Sequence, residues 1–131
     1  MEYQSNTVLI TGASRGLGAN FSKVLAADGF KILGVGRNKK NLETVISNLP
    51  NQNLGHSYIE VDVTNEHEVH EKIGSLDIYG LVNNAGIAST KLLHQETKSN
   101  LSKIFETNLL GSINVSNAII PTMIKNKNGK I

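Results

Sequence analysis

The sequence predicts an α/β fold: a parallel, doubly wound sheet of strand order 3-2-1-4, with its ligand crevice at the carboxyl ends of strands 1 and 4. Three observations carry this. Segments of strand character alternate with segments of helical spacing along the whole chain. The strand-like segments are short and continuously apolar, as in Thr7-Val8-Leu9-Ile10, the pattern of strands covered on both faces. A glycine-rich stretch, Thr11-Gly12-Ala13-Ser14-Arg15-Gly16-Leu17-Gly18, then joins the first strand directly to the first helix.

Each element has its own justification. Residues 8–10 form the first strand, and residues 16–27 form a helix with Leu17, Phe21, Val24 and Leu25 along one stripe. Gly29 stands where that helix stops. Ile32-Leu33-Gly34-Val35 is the second strand; a helix over 38–49 follows and is halted by Pro50. The third strand covers 56–63, where Tyr58, Ile59, Val61 and Val63 supply β character. Thr64 or Asn65 caps a short helix reaching Gly74. The fourth strand covers 78–82 and closes on Asn83-Asn84-Ala85-Gly86. A polar loop leads into a long helix over 97–125, which Asn128-Gly129 ends, and Lys130-Ile131 reads as the first step of a fifth strand.

Bulk properties narrow the function classes. The 131 residues fit one domain, 1–131, with room for a substantial core. A hydrophobic share of 39% and a charged share of 18% describe an ordinary globular protein. A net charge of +2, no Trp and no basic cluster with interleaved aromatics argue against nucleic acid. The absence of Cys excludes disulfides and thiolate chemistry and suits a reducing cytoplasm, the expected location. Residues 1–6 carry neither a basic cluster nor an apolar core, so no secretory signal is expected. The longest apolar runs fall far short of a membrane span.

The glycine stretch carries the first chemistry. Gly12, Gly16 and Gly18 allow a sharp turn and a close backbone approach to a ligand. The free N–H groups of the first helical turn then face bound anionic oxygens, as in a dinucleotide site. Its plain alternative is a strand-to-helix turn with no ligand.

Four landmarks recur in order: Thr11-Gly-x-x-x-Gly16-x-Gly18, Asp62-Val63 after strand 3, Asn83-Asn84-Ala85-Gly86 after strand 4, and Asn108 in the following helix. Together they resemble the short-chain dehydrogenase/reductase family, with its Rossmann-like fold, and within it members similar to 3-oxoacyl-carrier-protein reductases. The resemblance implies that the turn holds a pyrophosphate, with contacts from Ser14, Arg15 and Leu17. It implies that Asp62 accepts from the adenine amino group while the Val63 backbone meets the ring. Asn83, Ala85 and Gly86 would line the ribose and nicotinamide side, and Asn108 would hold a catalytic water. The implied partners are a dinucleotide cofactor and a small carbonyl or alcohol substrate.

Charge then bears on cofactor choice. An NAD site places a carboxylate at the end of strand 2, but this stretch is Val35-Gly36-Arg37-Asn38. Arg37 and Arg15 suit a 2′-phosphate, so NADP(H) is expected over NAD(H). Arg37 also has the ordinary reading of a solvated strand-end residue.

Other residues keep two readings. Asp62 can serve as a turn or capping residue, and Asn83 and Asn84 can tie neighbouring strands, the reading favoured for Asn84. Leu101, Phe105, Asn108, Ser112, Val115 and Ile119 recur at helical steps, which puts Asn108 on a core-facing stripe. A buried amide there needs a partner, either a backbone group near strand 4 or a catalytic water. His56, His67, His70 and His94 form no convincing metal set.

The family's chemistry also uses a Ser on strand 5 and a Tyr-x-x-x-Lys on the next helix. Here Tyr3, Tyr58 and Tyr79 are followed four positions on by Thr7, Asp62 and Asn83. The stretch to Ile131 therefore reads as the cofactor-binding half, truncated after strand 4. That leaves strand 4 as an uncovered apolar edge, for which self-association is expected.

Overall fold

A computed structural model describes residues 5–131, so Tyr3 and most of the leader reading on residues 1–6 lie outside the described residues. Strands β1 (Thr7–Thr11), β2 (Lys31–Gly36), β3 (Ser57–Glu60) and β4 (Gly80–Val82) form one sheet of order β3-β2-β1-β4. All three pairings are parallel, with Leu9 opposite Leu33 and Leu81, and Leu33 opposite Ser57. The helices are α1 (Gly16–Ala27), α2 (Lys39–Ser47), α3 (Glu66–Ile73), α4 (Lys98–Phe105) and α5 (Gly111–Asn126). A π turn, Glu106–Leu110, joins α4 to α5.

The continuous apolar strands are explained by two cores, one on each face. Val8, Ile10 and Ile32 pack with Ala26 of α1 and with Leu42 and Ile46 of α2. Leu9, Leu33 and Leu81 pack on the opposite face with Val69 and Ile73 of α3 and with Val115, Ile119 and Met123 of α5. Side chains alternate along a strand, so both parities must be apolar when both faces are covered.

Helix ends follow local chemistry. Gly29 has φ +92° and closes α1, with its N–H donating to Ala26 O and that of Phe30 to Leu25 O, a Schellman arrangement. Asn38, Asn65 and Thr97 cap α2, α3 and α4 by accepting from the backbone N–H three residues on. Helix α5 ends at Asn126 on a left-handed Lys127, before the expected Asn128-Gly129.

The structure corrects several expectations. The sheet ladder covers only 57–60 of the 56–63 expected for strand 3 and 80–82 of the 78–82 expected for strand 4. The α1 stripe of Leu17, Phe21 and Val24 faces solvent, at 66%, 39% and 59% exposure. The buried face is Gly18, Ser22 and Ala26 instead. A helix lying this close to a sheet admits only small side chains, and steric fit overrides apolar periodicity.

The long helix is also not one regular stripe. Leu101, Phe105 and Asn108 are exposed, while Val115 and Ile119 are fully buried. The π turn places one residue too many in a turn and breaks the helical phase between them. The outer edge of β4 is not bare either. Lys130 bridges Gly80 in parallel, accepting from Leu81 N and donating to Tyr79 O, each at 2.9 Å. This is the expected first step of a further strand.

Candidate functional site

The loop between β1 and α1 is shaped by three glycines acting for different reasons. Gly12 has φ +65°, and a Cβ there would stand 3.0 Å from Ala85 Cα and Asn84 Nδ2. Gly16 has φ +55° with no atom within 4 Å of its missing Cβ, so conformation alone selects glycine. Gly18 is helical and buried, and a Cβ there would fall 2.1 Å from Gly12 O. Its role is packing, and it does not line the cleft.

Helix α1 differs at its start from the side-chain-capped α2, α3 and α4. Its N-cap is Arg15, with φ −164° and no side-chain cap. The first-turn N–H groups therefore have no side-chain acceptor and face the cleft with the positive end of the helix dipole.

The β4 exit is sewn onto this loop. The buried Thr11 Oγ1 accepts from Asn84 N at 3.0 Å and Ala85 N at 2.9 Å. Asn84 Nδ2 donates to Thr11 O and Gly12 O at 3.2 and 3.3 Å. Asn84 thus ties strands together, as the sequence favoured.

A cleft of about 700 Å³ opens at the carboxyl ends of the four strands. Gly12, Ser14, Arg15, Gly16 and Leu17 form one wall, and Gly36, Arg37, Asn38 and Asn41 continue it at the end of β2. Val61, Asp62 and Val63 follow β3, and Asn84, Ala85, Gly86 and Ile87 follow β4, with Thr107 from the π turn. The structure thus brings Arg15 and Arg37 to one cleft, whose only carboxylate among the described residues is Asp62. Asp62 Oδ1 accepts from Thr64 N and Thr64 Oγ1 at 3.0 and 2.8 Å, the turn role, while the residue still lines the cleft.

Besides Gly18, two more predicted residues lie elsewhere. Asn83, one residue past β4, turns away from the cleft: its Nδ2 donates to Ser116 Oγ of α5 at 3.1 Å, and its Oδ1 is buried without a partner. Asn108 is exposed and clasps one backbone unit, accepting from Ile87 N at 2.8 Å and donating to Ile87 O at 2.9 Å. Of its two possible partners, the side chain has the backbone one.

Asn38, Asn41, Ile87 and Thr107 were not anticipated. Asn38 and Asn41 directly follow the strand-2 signal as a cap and its third residue, which is the trace that could have marked them. Neither described tyrosine faces the cleft. Tyr58 donates to Glu43, whose carboxylate pushes the phenol up from 10.0, and Tyr79 stacks on Phe30 with ring centroids 6.0 Å apart.

The family model for short chain dehydrogenases matches residues 6–131. The chain is 33% identical to a 3-oxoacyl-(acyl-carrier-protein) reductase of Escherichia coli K12, over all of this chain and 54% of the relative. It is also 33% identical to serine 3-dehydrogenase of Agrobacterium fabrum, over 94% of this chain and 51% of that one. Among solved structures, a closed serine dehydrogenase complexed with NADP+ superposes with TM-score 0.83 at 27% identity, covering 94% of this chain and 51% of that one. A short-chain dehydrogenase from Sphingobium yanoikuyae in complex with NADPH gives TM-score 0.84 at 26% identity, covering 94% and 50%. The chain spans about half the length of the relatives it matches.

Proposed function

The chain belongs to the short-chain dehydrogenase family, and on that premise we propose that it binds NADP(H) in preference to NAD(H), as the cofactor-binding part of a carbonyl/alcohol oxidoreductase. The observation that carries this is the uncapped start of α1 opening on a cleft that also holds Arg15 and Arg37. The residues fit such a group. The cradle at Gly12 has no room for a Cβ, and the β2 end offers a guanidinium where NAD recognition uses a carboxylate.

In this reading Gly12, Ser14, Gly16 and Leu17 hold the pyrophosphate through backbone groups, and Arg15 and Arg37 take the 2′-phosphate. Asp62 accepts from the adenine amino group with the oxygen not used in its turn, and Val63 covers the ring. Ala85 and Gly86 line the nicotinamide side. Asn108 acts as a positioning residue, since both polar atoms of its side chain are spent on Ile87. When bound, the nicotinamide supplies or accepts the hydride exchanged with a carbonyl carbon.

The reading extends to a reducing cytoplasm, to which a cysteine-free chain is suited. Among the described residues no helix is long and apolar enough to cross a membrane. Self-association belongs to the same proposal, supported by Phe105, Leu109 and Ile113, which leave 62%, 52% and 43% of their surface exposed. Calorimetric titration of the chain with NADP+ and NAD+ tests the cofactor assignment. Stoichiometric binding with NADP+ tighter by about a hundredfold is expected for two charge-assisted contacts of about tenfold each. Equal affinities reject the phosphate preference, and no binding of either nucleotide rejects the whole reading.

A further inference from the structure

We infer that Asn114 is a positioning residue that holds the β3-exit wall of the cleft in its ligand-ready place. Val63 lies three residues beyond the end of β3, past the sheet ladder that would otherwise satisfy its backbone. Its carbonyl accepts from Asn114 Nδ2 of α5 at 2.9 Å, across 51 positions of sequence. Directly above, Gly111 opens α5 so close to this wall that a Cβ there would stand 2.6 Å from Val63 Cγ2. Val63 is therefore pressed by one residue of α5 and hydrogen-bonded by another, one helical turn apart.

The rest of the wall depends on that anchor. Asp62 is bound to Thr64 through its side chain and to Asn65 N through its carbonyl, so it moves with its neighbours. The one sheet bond here, Val61 N to Gly36 O at 3.0 Å, holds only the near side. The same helical stretch also carries Asn108, which clasps Ile87 on the β4-exit wall. One helix, rephased by the π turn, thus fastens two of the cleft's walls through two asparagine side chains six positions apart.

This inference rests on the cofactor reading for what the wall receives, the adenosine end of the dinucleotide. Asn114→Asp keeps the side chain's shape and removes its donor, and Asn114→Ala serves as the second variant. NADP+ affinity of the full chain is measured by calorimetry, and amide hydrogen exchange is followed without nucleotide. Expected are a Kd about fivefold higher, the loss of one net hydrogen bond, and faster exchange at Thr64 and Asn65 with Ala85 unchanged. Unchanged affinity overturns the inference, as does acceleration that extends equally to Ala85, which would mark general destabilisation. If the wild-type chain fails to bind NADP+, the cofactor reading is what fails. The exchange contrast then decides whether Asn114 holds this wall.

Discussion

Substituting Gly18 by Ala tests the loop architecture most severely. In an unconstrained helix the change would add about 1 kcal/mol of stability. Here the new Cβ would stand 2.1 Å from Gly12 O and 2.7 Å from both Gly12 C and Asn84 Nδ2. Two of these atoms are backbone and cannot rotate away. Restoring van der Waals distance requires α1 and the loop to separate by more than about 1 Å. The Asn84 bonds to Thr11 O and Gly12 O, already 3.2 and 3.3 Å long, do not survive such a shift. Overpacking of about 1–3 kcal/mol and about 1 kcal/mol for the two long Asn84 bonds together outweigh the helical gain, for a net loss of about 2 kcal/mol. For a chain of this size that lowers Tm by about 8 °C. Gly16→Ala is the control, with no atom within 4 Å, and its left-handed φ costs about 1 kcal/mol. Thermal unfolding followed by circular dichroism reads the stability, and NADP+ titration reads the cleft. A Gly18→Ala chain within about 2 °C of wild type and binding as well would refute the close-packing argument.

Other outcomes follow from the same geometry. Arg37→Ala should weaken NADP+ binding about tenfold, a charge-assisted bond, and leave NAD+ nearly unchanged; parallel losses for both nucleotides would remove Arg37 from phosphate recognition. Hydrogen bonds from Ser89 and Asn100 hold the Glu96 carboxyl below its ordinary value of 4.5. A lowered folded-state value means this stabilisation is present above about 4.5 and is lost as pH falls through the folded-state pKa. Glu96→Gln should therefore flatten the acid limb of the stability–pH curve, and an unaltered slope below pH 4.5 would discount the contact. Sedimentation at micromolar concentration should show dimers or larger species that Phe105→Ser reduces, whereas a clean wild-type monomer would end the self-association proposal.

Much of the fold is legible because its signals are local. Apolar runs at β1 and β2 and the helix ends at Asn65 and Gly29 need only neighbouring residues to act. The lining of the cleft is legible at Gly12, Ser14, Arg15, Gly16 and Leu17, at Arg37, and at Asp62 and Val63, while Gly36 and Val61 carry no site signal of their own. The misreadings are all tertiary. Periodicity marks Leu17, Phe21 and Val24 as a core stripe, yet the sheet's nearness admits only Gly18, Ser22 and Ala26. Asn83 carries the same chemistry as Asn84, and only the path of the chain leaving β4 sends one to Ser116 and the other to Thr11.

By itself the chain's pattern determines the alternation of elements and the glycine turn before α1, since propensity, capping and period act over a few residues, and that alternation in turn implies right-handed crossovers and the parallel order β3-β2-β1-β4. Only the tertiary structure decides which helix face is buried, where the π turn rephases the long helix, and that Asn108 and Asn114 fasten Ile87 and Val63. Those contacts join residues 21 and 51 positions apart, and the partner of a side-chain amide is set by the packing of whole elements, which no local pattern encodes.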